Sequence, residues 1–284
     1  MSGHTTCVAP PCAMNAIHRV WKTLPVPTGL RSSLFNVRRA CWRTLRAPVG
    51  IAYRIHEDRE VARIRAMLGR VPFADVVTVI ATYRRAEGLT AAVRSALDQT
   101  VTDHLVVVVD DGGGLPVLPD DERLLAISLA RNYGCLGMVR NVGLRVTRSR
   151  YIAFLDDDNT WTPQHLEVSL AAHRDDVEVT YTALRRTRPD GTTQDVLSIP
   201  FDRATLRSGN PADSNALVFR RRPDVMFSRI PRLKEDWLLV RRLDRRGRRI
   251  VHVPVPTVHY LLNPDSYFTD WTRRGELGSE ARAC

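Results

Sequence analysis

Three consecutive carboxylates, Asp156-Asp157-Asp158, follow directly on the apolar run Tyr151-Ile152-Ala153-Phe154-Leu155. A short run of that kind reads as a buried strand. The acids would then crowd the mouth of a sheet, where close like charges repel. A hard divalent cation, Mg²⁺ or Mn²⁺, removes that repulsion, because it takes oxygen ligands and shares them between one or two carboxylates and substrate phosphates. The bland alternative is a solvated Asp-rich turn, or a cap in which Asp158-Asn159-Thr160 starts the helix after Trp161-Thr162-Pro163. Two further acidic pairs stand out. Asp110-Asp111 ends Leu105 to Val109 and runs into Gly112-Gly113-Gly114, and Glu235-Asp236 has the look of a helix start favoured by the macrodipole.

These clusters need elements to hold them. Val76 to Ile80 predicts a strand that ends in Thr82-Tyr83-Arg84, followed by a helix carrying Leu89, Val93 and Leu97. Leu105 to Val109 is a second strand and Ile127 to Leu129 a third, which leads to Ala130-Arg131-Asn132. A helix with Met138, Val139 and Val142 then precedes the strand Tyr151 to Leu155. Strand and helix in repetition predict an α/β fold, a mostly parallel sheet flanked by helices. Such sheets bind ligands at the carboxyl ends of their strands, and each strand here ends in a polar cluster.

Upstream, residues 1 to about 30 lack periodicity and are expected to be loosely ordered. Apolar residues from Leu34 to Leu68 recur at helical spacing and predict two helices broken near Pro48-Val49-Gly50. The expected organisation is therefore a basic, partly helical extension over 1–70, a catalytic domain over 71–262 and a tail over 263–284. The net charge of +11 lies mostly in the extension, where twelve Arg or Lys face three acids. The catalytic part is nearly neutral, so we expect no nucleic-acid partner. The arginine-rich face of residues 30–70 fits either packing on the catalytic domain or a partner subunit, or docking on an anionic membrane surface. No apolar run approaches the roughly 18 residues of a membrane span, and no secretory pattern opens the chain. We expect a cytoplasmic protein, at most peripheral at the inner face of the membrane. Cys7, Cys12, Cys41, Cys135 and Cys284 show no paired metal-ligand spacing and read as free thiols.

From about Val76 to Tyr260 the chain resembles a family 2 glycosyltransferase of the GT-A fold. The resemblance rests on Val79-Ile80-Ala81-Thr82-Tyr83-Arg84, Val108-Val109-Asp110-Asp111-Gly112, Gly137-Met138-Val139-Arg140-Asn141-Val142-Gly143, Tyr151 to Asp158 with Trp161 and Pro163, and Lys234-Glu235-Asp236-Trp237. The resemblance implies a Rossmann-like catalytic domain and an inverting transfer of sugar from a nucleoside-diphosphate donor, UDP by default with dTDP and GDP as alternatives. The acceptor is a hydroxyl on a sugar, a lipid-linked sugar or a small natural product. By the same resemblance, Thr82, Tyr83 and Arg84 line the nucleotide pocket, Asp110 or Asp111 meets the base, and Arg140 lies near the base or phosphates. Asp156 and Asp158 match the Asp-x-Asp motif, with Asp156 near ribose and metal, Asp158 a metal ligand and Asp157 in the variable middle position beside the donor. His259 falls where some relatives place a histidine on the metal or diphosphate. Asn215, Glu235 and Trp237 fall at the acceptor, and Asp236 is the candidate general base, needed because an alcohol has a pKa far above 7. Gly112-Gly113-Gly114 departs from the family, which usually has a serine and an acid there.

Two other readings compete. A nucleotidyltransferase of the same fold normally carries a glycine-rich signature near its first strand, and none is present. A non-catalytic binding module has no need of Asp158 and Asp236 together.

Overall fold

The computed structural model describes residues 28–174, 176–230 and 234–262, with backbone only for 28–47. The chain divides into two compact units, Met1–Pro48 and Val49–Cys284. The first helix, α1, spans Thr28–Leu68 with Pro48 inside it. Where the sequence predicts two helices broken at Pro48-Val49-Gly50, the structure has one. A proline deletes its own N–H from the ladder and favours a kink, but flanking turns that keep their bonds can carry the helix past it. The expected loosely ordered stretch before Thr28 and the tail 263–284 lie outside the described residues.

The C-terminal half of α1 packs within the second unit: Val61 and Ile64 are 3% and 2% exposed and belong to the main core. Glu57 and Glu60, on the same helix, are buried as well. Arg63 donates to the Ser128 carbonyl at 2.8 Å and Arg65 to the Arg145 carbonyl at 3.1 Å. Those arginines act inside the molecule, in line with the packing role.

Among the described residues the sheet has nine strands. In chain order these are β1 (Phe73–Thr82), β2 (His104–Asp110), β3 (Leu124–Ser128), β4 (Arg148–Asp156), β5 (Thr160–Trp161), β6 (Val177–Thr187), β7 (Thr193–Leu197), β8 (Leu217–Arg220) and β9 (Arg249–Leu261). Their spatial order is β3-β2-β1-β4-β8-β6-β9-β5, with β7 on β6. The first four strands pair in parallel, as do β6 and β9, whereas β8, β7 and β5 join antiparallel. Helices α2 (Ala86–Leu97) and α3 (Leu136–Arg145) cross between the parallel strands, and α4 (His165–Ala171), α5 (Arg203–Ser208) and α6 (Glu235–Arg245) follow.

Composition explains the parallel half. Val76, Val77, Val79 and Ile80 in β1 and Val106 to Val109 in β2 are fully buried, as expected for β-branched runs covered on both faces. Each such side chain contributes about 1.5–3 kcal/mol on burial. Helix α2 buries Leu89, Ala92, Val93, Ala96 and Leu97, the i, i+3, i+4, i+7, i+8 set of one face.

Candidate active site

Register brings the polar clusters together. Parallel pairing sets Thr82 of β1 opposite Asp110 of β2, and Ala81 opposite Asp156 of β4. The carboxyl ends of three strands therefore open side by side into a cleft of about 470 Å³. Its lining includes Thr82, Tyr83, Asp111, Asp156, Asp157 and Asp158. A second surface groove of about 370 Å³ lies beside α2, but its Arg123 is already held by Asp121 and the Leu97 carbonyl.

On one side of the cleft, backbone amides hold the acids. Asp110 accepts from Gly113 and Gly114, each at 2.9 Å, and Asp111 accepts from Tyr133 at 2.9 Å and Gly134 at 2.8 Å. Of the two, only Asp111 reaches the cleft; Asp110 is wholly buried and shapes the glycine loop. That loop needs its glycines. Gly112 has φ +71°, and a Cβ there would stand 2.3 Å from the Arg131 carbonyl carbon. Burial pushes the Asp111 carboxyl above its ordinary range against the pull of the two amides. Tyr83 is 39% exposed, with the Arg84 guanidinium 5.1 Å from its ring centre.

At the centre, Asp156 is clasped from behind. Arg140, almost fully buried, donates to its Oδ1 and to Ser214 Oγ at 3.1 Å. Phe227 and Phe154 stack around the same guanidinium, 5.0 and 5.8 Å from it. Asn215 completes the clasp: its Nδ2 donates to Asp156 Oδ2 at 2.9 Å and its Oδ1 accepts from the Asp156 amide at 2.6 Å. Arg140 is thus placed behind Asp156 and is absent from the cleft lining, and the Asn215 amide is engaged with Asp156 and Asp213. Asp157 accepts from Thr82 Oγ1 at 2.7 Å. Burial raises the pKa of both Asp157 and Asp158, and in Asp158 the charge of Asp156 adds to it.

Beside Arg140 and Asp156, residues 210–216 and α6 carry a second set of polar side chains, none of which lines the cleft. Asp236 Oδ2 accepts from Asn210 Nδ2 at 2.8 Å, and its Oδ1 accepts from the Trp237 amide at 2.7 Å. Burial raises the Asp236 pKa, the Trp237 amide and Arg140 oppose it, and the Asp156 charge adds to it. Asp236 and Asp156 therefore lie within electrostatic reach of each other. Glu235, also raised by burial, opens α6 as expected, while the Trp237 indole donates to the Leu206 carbonyl at 2.8 Å. Asp213, buried beneath, is pushed up to about 8 by burial and by the charges of Asp156 and Asp236.

Asp158, Asn159 and Thr160 do not cap the following helix. Thr160 enters β5 and α4 starts only at His165. His259 sits exposed on β9 opposite Thr160, outside the cleft lining. Among the described residues no group of three or more His, Cys, Asp and Glu forms a ready-made metal cage. Asp156 and Asp158 nevertheless suit a hard cation: both line one cleft with carboxylates, and the Asp156 charge helps to raise the Asp158 pKa.

Sequence reasoning missed Arg85, Asn210 and Asp213. Arg85 follows Arg84 in the same loop, and residue type alone does not separate them. Asn210 and Asp213 lie in a segment whose polar residues are equivalent until the fold shows which carboxylate each one faces.

Residues 77–234 match the family model described as "Glycosyl transferase family 2". The Succinoglycan biosynthesis protein ExoO of Rhizobium meliloti is 40% identical over 104 residues, covering 35% of this chain and 29% of that protein. The Poly(ribitol-phosphate) beta-N-acetylglucosaminyltransferase TarP of Staphylococcus aureus is 30% identical over 100 residues, covering 32% of this chain and 31% of that one. The matches thus span about a third of these curated relatives. Among solved structures, S. aureus TarS 1-349 in complex with UDP-GlcNAc superposes with TM-score 0.51 at 18% identity, covering 69% of this chain and 60% of that chain. The mannosyltransferase PcManGT from Pyrobaculum calidifontis, in complex with GDP-Man and Mn²⁺, superposes with TM-score 0.50 at 14% identity, covering 79% and 70%. The superpositions establish a shared fold.

Proposed function

The chain belongs to glycosyl transferase family 2, and on that premise we propose that it transfers a sugar from a nucleoside-diphosphate donor to a hydroxyl acceptor, with inversion and with help from a divalent cation. The observation that carries this reading is the meeting of Asp111, Asp156, Asp157 and Asp158 in one cleft, with Asp236 within electrostatic reach of Asp156.

Asp111, with Thr82 and Tyr83, receives the nucleoside. Asp156 and Asp158 hold Mn²⁺ or Mg²⁺, which supplies charge for the departing diphosphate. Asp236 takes the acceptor proton as the hydroxyl oxygen attacks the anomeric carbon. Its raised pKa suits that task, since a base works best near the operating pH. Asn210 and the Trp237 amide aim its two oxygens. Glu235 and Trp237 border the acceptor, and His259, outside the cleft lining, has no part in this scheme. A UDP-sugar is the favoured donor, supported by the UDP-GlcNAc complex of the TarS neighbour.

Thermal-shift screening of nucleoside-diphosphate sugars with Mn²⁺ or Mg²⁺ tests the donor side, because a ligand that binds the folded state raises its melting temperature. Asp158→Ala should abolish the metal-dependent part of that shift. An unchanged metal-dependent shift would remove Asp158 from its role.

A further inference from the structure

Two arginines meet the acidic triplet, and they meet it differently. Arg140 has 3% of its side chain exposed and is walled in by Phe154, Phe227 and Ser214, so its pairing with Asp156 is fixed. The Arg85 side chain is 51% exposed. Its Nη1 donates to Asp158 Oδ2 at 2.6 Å and to Asp157 Oδ1 at 3.3 Å. The carboxylates it meets are 10% and 32% exposed, so the pair opens to water on the arginine side.

The backbone is bent to put Arg85 there. Arg84, at φ +55°, is the one non-glycine residue with positive φ among the described residues. Strained backbone of this sort persists where the surroundings demand it. Helix α2 then presses against the triplet, because Gly88 leaves room: a Cβ there would lie 2.3 Å from the Asp157 carbonyl oxygen. Arg85, Asp157 and Asp158 all line the same cleft.

We propose that Arg85 is an exchangeable counter-ion: it neutralises Asp157 and Asp158 in the donor-free protein and swings to the donor diphosphate when a divalent cation takes Asp158. The proposal rests on the reading of the cleft as a metal and diphosphate site. Charge drives the exchange. A divalent cation at Asp156 and Asp158 repels the guanidinium, while the arriving diphosphate offers planar sets of oxygens that match its fork. No bond is made or broken; Arg85 changes partners by rotating an exposed side chain.

The test is a Mn²⁺ titration of the full chain followed by electron paramagnetic resonance, which reads free Mn²⁺ directly, on wild type and Arg85→Gln. Without nucleotide, Arg85→Gln should bind Mn²⁺ about fivefold more tightly, since the competing cation is gone. With saturating Mn²⁺, it should bind the best of UDP, dTDP and GDP about tenfold more weakly, measured by calorimetry. Arg85→Lys, which keeps the charge without the fork, should retain near-wild-type Mn²⁺ affinity and lose part of the diphosphate affinity, and Arg85→Ala serves in place of Arg85→Gln should that variant not fold. Unchanged or weaker Mn²⁺ binding by Arg85→Gln, beside a wild type that binds Mn²⁺ and nucleoside diphosphate together, would overturn the role of Arg85 and leave the site assignment standing. A wild type that binds no Mn²⁺ with or without any of the three nucleotides would overturn both.

Discussion

The wall that we propose for the nucleoside and the one that we propose for the acceptor are held by different means. On the nucleoside wall, Asp111 is fixed by the amides of Tyr133 and Gly134, and Tyr133 is in turn braced from α1. Its hydroxyl donates to Glu60 at 2.8 Å, and Glu60 also accepts from the Ala130 amide at 3.1 Å. Tyr53 adds a bond to the Tyr133 carbonyl at 3.0 Å. That brace comes from residues ahead of the stretch that matches the family model. On the acceptor wall, Arg140 and Asn215 both bond to Asp156, Asn215 also bonds to Asp213, and Asn210 bonds to Asp236, all from within that stretch or at its edge. One wall depends on a neighbouring helix and open loops; the other on mostly buried polar side chains. A buried network positions charge rigidly but loses heavily when one member goes.

The comparison is broken most severely by truncation. Deleting residues 1–65 removes Val61, Ile64, Glu57 and Glu60 and should leave an unfolded product by circular dichroism. Deleting residues 1–47 should shift the melting temperature by only a few degrees. A folded 66–284 fragment would show that the α1 brace is dispensable.

Next in size is Asp236→Asn, which should leave donor affinity within a few-fold yet slow transfer by about 10²–10⁴. Near-normal turnover would take the base out of the acceptor wall. Arg140→Ala removes the buried partner of Asp156 and should cost about 3–5 kcal/mol in chemical denaturation. A loss under about 1 kcal/mol would mean the network is looser than its hydrogen bonds suggest.

The smallest effect concerns pH. The Asp213 carboxyl is pushed up to about 8, above the ordinary carboxylate value of 3.8. A raised folded-state pKa means the folded protein holds the proton more tightly, so the contribution is fully present below about 4 and is lost as pH rises towards 8. The melting temperature should therefore fall by a few degrees between pH 6 and 8.5, and Asp213→Asn should flatten that slope. An equal slope in both proteins would show that other groups carry it. Tyr133→Phe offers a companion measurement on the nucleoside wall, where a few-fold loss of donor affinity without a change in transfer rate at saturation is expected.

Much of the site was legible in the chain. Asp156-Asp157-Asp158 announced itself because three like charges after an apolar strand need a reason, and the structure places all three in the cleft. Glu235-Asp236 was legible as a helix start, and α6 begins at Glu235. The roles of Arg140 and Asn215 were harder to see. Both carry groups suited to touching a ligand, and only the packing of Phe154 and Phe227 around one guanidinium, and the paired bonds of one amide to Asp156, show them facing inward. Helix α1 was legible as helical, with packing on the catalytic domain as one of two readings of its arginine-rich face, because periodicity reveals that a face is apolar and says nothing of what covers it.

Local chemistry settled the parallel strands and their polar ends, since β-branched runs and strand-end acids act through near neighbours in sequence. Which of Asp110 and Asp111 opens to the cleft, which arginine is buried and which is exposed beside the acidic triplet, and what α1 packs against were decided only in three dimensions. Each depends on burial and on partners tens of residues away, and the free energy of a charge is set by those surroundings more than by the residue that bears it.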